Sequence, residues 1–116
     1  MIHLYQDRVA EVKHNVRGGT GDPVFLHLFS GEELGGRADV LATVTLQPGE
    51  SIGEHPHVEN AEVYCILSGS ATVTEDGVAH VLQVGDAEFC CDGHTHSIRN
   101  HTDEPVTFLA FIAKNR

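Results

Sequence analysis

Two short segments of the chain gather the residue types that bind transition metals. In the first, Gly49 to Gly69, His55 and His57 stand two apart and Glu62 follows five residues later. On an extended strand residues i and i+2 share a face, so both imidazoles can converge on one point with Pro56 on the opposite side. A tight connection through Val58 to Ala61 lets the next strand run back beside the first and brings Glu62 to the same pole. Imidazole and carboxylate together suit borderline divalent ions such as zinc, iron, manganese, nickel and copper. The second segment, Gly85 to Asn100, repeats the order of turn glycine, strand, turn glycine and histidine, with His94 and His96 following Gly93. Nine histidines in 116 residues exceed what packing alone calls for.

Strands are the elements that must position these side chains. Twelve glycines and four prolines punctuate the chain, and the stretches between them alternate polar and apolar residues instead of following a helical period. From Asp39 to Gln47, Val40, Ala42, Val44 and Leu46 alternate with Leu41, Thr43 and Thr45, and the turn Gln47-Pro48-Gly49-Glu50 ends the run. Further strands are expected over 62–67, 71–75, 78–84, 86–91, 97–100 and 106–113. Asp76-Gly77 between two strand-like runs is a hairpin signal. Arg17 to Pro23 is rich in chain breakers and reads as a loop after an N-terminal arm. A single helical turn is expected near Glu32 to Leu34. Roughly eight to ten short strands argue for a β-sandwich or barrel, and double-sheet closure of the jelly-roll kind fits best.

With the segments placed on strands, they resemble the paired signature motifs of the cupin superfamily. Gly49, His55, His57, Glu62 and Gly69 meet every fixed position of the first motif. Gly85, Gly93, His96 and Asn100 meet the second, with Cys91 standing where the family has proline. The resemblance covers Gly49 to Asn100 directly. It implies an all-β double-stranded β-helix, the jelly-roll barrel of cupins, in one domain over 1–116: arm and loop at 1–23, barrel at 39–113, first motif at 49–69 and second at 85–100. It also implies one divalent transition metal held by His55, His57, Glu62 and His96. The proline that Cys91 replaces stiffens a turn and binds nothing, so the fold and the ligand set are expected to survive the change.

Strand parity limits who else acts at such a site. With Glu62 inward, Tyr64 and Ile66 share its face, which makes Tyr64 a candidate hydrogen-bond donor or general acid. His94 is a candidate alternative ligand or acid/base at the rim, and Glu59 is a candidate that overhangs the metal from the connecting loop. With His96 inward, Ile98 and Asn100 follow it while Arg99 and His101 face out. Asn100 is expected to tie down backbone at the strand end. His27 reads as a satisfied strand histidine, and His3, His14 and His80 as surface residues.

Composition narrows the function further. The formal net charge is −10, from 17 acidic and 7 basic residues, which repels polyphosphate and argues against nucleic acid and anionic membrane surfaces. No apolar run reaches the roughly 18 residues of a membrane helix. The start of the chain carries no apolar stretch of signal-peptide length, so a cytoplasmic protein is expected. Cys65, Cys90 and Cys91 are an odd number, and two of them are adjacent, which points to free thiols. The resemblance implies a metal-dependent enzyme acting on a small carboxylated or sugar-like molecule, by isomerase, lyase, decarboxylase or dioxygenase chemistry. The alternative it leaves is a non-catalytic cupin that binds or senses a small molecule such as a sugar. N-terminal strands shared across a homodimer belong to the same expectation, since pairing covers edge strands that otherwise invite aggregation.

Overall fold

A computed structural model describes residues 1–115. Ten strands follow one another: β1 (Ala10–Val12), β2 (Val24–His27), β3 (Ala38–Leu46), β4 (Ser51–Pro56), β5 (Asn60–Ser68), β6 (Ala71–Glu75), β7 (Val78–Leu82), β8 (Ala87–Cys90), β9 (Thr95–Arg99) and β10 (Val106–Lys114). They form a six-stranded sheet in the order β1-β2-β3-β10-β5-β8 and a four-stranded sheet in the order β4-β9-β6-β7. Every pairing is antiparallel. The two sheets make the jelly-roll barrel expected from the alternation.

Period-two burial explains why these segments are strands. Along β3, Ala42, Val44 and Leu46 are fully buried while Thr43 and Thr45 are less so. The same alternation on β5, β9 and β10 gives an inner layer of Ile66, Ile98, Val106 and Phe108, closed by Phe25, Ile52 and Val73. Asp76 and Gly77 both take positive φ, 48° and 83°, as a two-residue hairpin with the twist of its flanking strands requires. That turn fixes Glu75 opposite Val78.

Two local features differ from the sequence expectation. Residues 31–36 form hydrogen-bonded turns instead of a helical turn near Glu32 to Leu34. Gly35 and Gly36 both take positive φ, which a right-handed helix cannot continue. Single 3₁₀ turns occur at Tyr5–Asp7 and at Val16–Gly18, the second overlapping the start of the segment read as a loop. Among the described residues no helix is long and apolar enough to cross a membrane.

The Val16–Gly18 turn lies against β4 closely enough that both contacting positions must be glycine. A Cβ on Gly53 would sit 2.2 Å from the Arg17 carbonyl oxygen, and one on Gly19 would sit 2.3 Å from that of Ser51. Next to this contact the β4–β9 register slips between Ile52 and His55. The irregularity re-aims the end of β4 toward the barrel interior.

Candidate metal centre

His55 and His96 are direct cross-strand partners on β4 and β9. His57 stands just past the end of β4, and Glu62 is on β5 in the opposing sheet. All four side chains point into one end of the barrel, with residue exposures of 5% (His55), 2% (His57), 5% (Glu62) and 0% (His96). Four charged or polar side chains buried together require partners. They find them in one another: Glu62 Oε1 lies 3.0 Å from Nε2 of His57, 3.0 Å from Nε2 of His96 and 3.6 Å from Nε2 of His55. Nε2 of His96 is 3.1 Å from Nε2 of both His57 and His55.

Each ring is oriented by its other nitrogen. Nδ1–H of His55 donates to the Gly53 carbonyl at 2.8 Å, and Nδ1–H of His57 donates to Asn60 Oδ1 at 2.7 Å. Nδ1–H of His96 donates to Glu88, with 2.9 and 3.1 Å to its two carboxylate oxygens. All three acceptors are oxygens, so the proton of each neutral ring is on Nδ1 and the Nε2 lone pair faces the centre. Three inward lone pairs and a carboxylate oxygen within about one donor–donor spacing repel one another unless a cation or a proton lies among them. Metal–ligand bonds of about 2.1 Å set at right angles place neighbouring donors about 3.0 Å apart, which is the spacing found. The four residues can therefore hold a metal ion.

The electrostatics of the metal-free site agree. Burial opposes ionisation of Glu62, but the imidazoles of His55, His57 and His96 gathered around its carboxylate outweigh it and hold the carboxyl well below the usual range. Burial likewise disfavours a charged His96, yet the hydrogen bonds to Glu62 and Glu88 prevail and push its pKa up to about 9. Without metal, the pocket keeps a proton at the point where the donors meet.

Tyr64 is 1% exposed and its ring stacks on that of His96. Burial, with the charges of Glu62 and Glu88, raises its pKa well above the ordinary value, so the phenol stays protonated. The other two candidates lie elsewhere. His94 is about half exposed and donates to Asp76, whose carboxylate raises its pKa. Glu59 is exposed at φ 61°, its N–H donates to Asp92 at 2.8 Å, and it lines a separate surface depression with Asp39, Val58 and Lys114. Asn100, as expected, ties down backbone: it donates to the carbonyls of Leu46 and Glu104 and accepts from Thr102. His27 meets Glu11, and Arg99 and His101 face outward.

Asn60 and Glu88 are the residues that strand parity alone left out. Asn60 carried a signal in its place three residues after His57. Glu88 emerges only from register: it is the β8 partner of Tyr64, as Cys90 is of Glu62, so both point inward. Glu75 on β6 is in register with His96 and meets Glu88; that hydrogen bond, then burial, raises its pKa. The Cys90 thiol is pushed up to about 12 by burial and by the charges of Glu88 and Glu75, so it remains a protonated packing group. Cys91 is exposed in the turn before His94.

Residues 42–112 match the cupin domain family, and the chain belongs to it. Over 98 residues it is 37% identical to the oxalate-binding protein of Thermotoga maritima, covering 84% of this chain and 81% of that protein. It is 30% identical over 86 residues to the tetracenomycin polyketide synthase protein TcmJ of Streptomyces glaucescens, covering 74% of this chain and 58% of that one. The crystal structure of a protein described as a predicted oxalate decarboxylase from Thermotoga maritima superposes with a TM-score of 0.94 at 33% identity, over 98% of this chain and 99% of that one.

Proposed function

We propose that this cupin holds one divalent transition metal through His55, His57, Glu62 and His96 and binds a small carboxylate there, with oxalate as the first ligand to test. The observation that carries the reading is the convergence of four buried donors whose ring Nδ1 atoms are all committed to oxygen acceptors. A divalent ion at this position supplies a Lewis acid and a positive centre for carboxylate oxygens within a chain of formal net charge −10. The four residues neutralise part of that charge, and an ion that prefers six ligands keeps two positions for the carboxylate. The similarity to an oxalate-binding protein supports the ligand class.

Binding is favoured over turnover because the groups able to move a proton are already engaged. Glu88 is held on His96 and His94 on Asp76, while Glu59 faces another depression. Tyr64 supports a second reading, decarboxylation or a related proton-coupled step on the same carboxylate, as a protonated phenol beside Glu62. In both readings the chain is one cytoplasmic domain in which the thiols of Cys65, Cys90 and Cys91 stay free. It pairs with a second copy through its N-terminal strands, with Ile2, Tyr5 and Val9 exposed ahead of β1 and Val12 exposed on it; sedimentation equilibrium measures that mass.

Elemental analysis of the purified chain should find close to one transition metal per chain, and His57→Ala should lose it. Full metal retention by that variant would sink the ligand assignment. Calorimetry with oxalate should give saturable binding to the loaded chain and none after chelation. Carbon dioxide release or oxygen uptake under the same conditions would move the reading from binder to enzyme.

A further inference from the structure

Given the metal reading above, on which this rests, we infer that Glu88 is a positioning residue for the ion: an anionic partner that fixes the ring of His96 and makes its Nε2 the strongest of the three nitrogen donors. The three rings are held alike but by unequal partners. His55 donates to a backbone carbonyl and His57 to a side-chain amide, both neutral, whereas His96 donates to a carboxylate through contacts of 2.9 and 3.1 Å. A charge-assisted hydrogen bond is roughly twice as strong as a neutral one. A carboxylate on the far nitrogen also pushes electron density toward Nε2 and raises its basicity toward a metal.

The surroundings preserve that effect. The Glu88 side chain is about one-tenth exposed, and the ring it holds is fully buried, so water screens the interaction little. The ring is also clamped on its face by Tyr64, the cross-strand partner of Glu88. Strand pairing thus delivers the face contact and the edge contact on His96 from adjacent strands of one sheet, while His96 itself belongs to the other. Glu88 lies outside the fixed positions of both sequence motifs, and it is strand register that brings it to His96.

Zinc suits the test because it is diamagnetic and needs no oxidant. Zinc affinity, measured in competition with a chromophoric chelator, should fall roughly ten- to a hundred-fold in Glu88→Gln, the isosteric neutral change. Far-UV circular dichroism of the metal-free variant should match the parent chain. In the zinc-loaded ¹⁵N-labelled protein the His96 Nδ1–H resonance should lie downfield of those of His55 and His57, and Glu88→Gln should move it alone. Parental zinc affinity together with an unmoved His96 resonance in Glu88→Gln would overturn the inference and leave the metal reading intact. A parent chain that binds no zinc or other divalent transition metal would overturn both. Should Glu88→Gln fail to fold, the parent spectrum decides, since a His96 resonance at the position of the other two rings overturns the proposal.

Discussion

The ring of Tyr64 lies flat on the ring of His96, with centroids 4.5 Å apart and planes 7° from parallel, and Phe108 meets the same tyrosine edge-on at 4.9 Å. A metal ligand is thereby continuous with the hydrophobic core. Tyr64→Phe keeps the stack and should cost no more than about 1.5 kcal/mol. Tyr64→Ala should cost about 3–5 kcal/mol through the cavity it leaves and should lower metal occupancy by freeing the His96 ring. Urea unfolding of the chelated chain and metal content after dialysis measure the two effects separately. Parental metal content in Tyr64→Ala would show that the stack contributes packing alone.

Gly53 joins the N-terminal turn to the metal centre. Its Cα faces the Arg17 carbonyl with no room for a Cβ, and its own carbonyl holds Nδ1–H of His55. Gly53→Ala should therefore do two things: destabilise the chain by about 1–3 kcal/mol through overpacking, and weaken metal binding by tilting His55. Thermal melts with and without metal test this. An equal loss of stability in both states would show that the glycine serves the turn alone.

Asn100 has the density of contacts expected of a structural corner. Its amide nitrogen donates to Leu46 O at 3.0 Å and Glu104 O at 2.7 Å, and its oxygen accepts from Thr102 N at 2.9 Å and Oγ1 at 2.8 Å. At 1% exposure no water replaces these bonds, so Asn100→Ala strands several buried groups at about 1–3 kcal/mol each. We expect the chelated variant to unfold at a much lower urea concentration than the parent. A shift of the midpoint no larger than that of a surface substitution would refute this account of the corner.

Stability of the metal-free chain should depend on pH in both directions. Glu62 is depressed below its ordinary value of 4.5, so its contribution is complete above that pH and is lost as the pH falls below it. His96 is raised from 6.5 to about 9, so its contribution is complete below 6.5 and is lost as the pH rises through 9. The chelated chain should accordingly melt highest between about pH 4.5 and 6.5. A loaded chain needs His96 unprotonated at Nε2, so metal should abolish the decline on the alkaline side. A chelated chain whose melting temperature climbs from about pH 6.5 to 9 would contradict the arrangement.

Much of the barrel was legible because alternation reports which face a residue takes. The runs around Val44, Tyr64, Ile98 and Phe108 needed no further information, and Asp76-Gly77 specified its own hairpin. His55 and His57 could be paired from spacing, although His57 lies beyond the strand and reaches the centre because of the turn that follows. Alternation does not say which strand of one sheet lies over which of the other. Glu88 and Glu75 were therefore invisible as neighbours of His96 until register was known. The register slip after Ile52 escaped for a related reason: it depends on Gly53 meeting Gly19, and those contacts are long-range. At Glu32 to Leu34 the polar run read as helix, and the following Gly35 and Gly36 turned the chain instead.

His55 and His96 are held by one sheet and Glu62 by the other, with His57 in the connection between them. An ion shared by these residues would act as a cross-link in a chain whose three cysteines are free. Since the four residues are at most 5% exposed, both the ion and a carboxylate ligand would pass that end of the barrel only as it opens. Metal exchange should then report the breathing of the sandwich: a slow, strongly temperature-dependent process whose rate is set by the opening of the protein and not by the strength of the coordinate bonds.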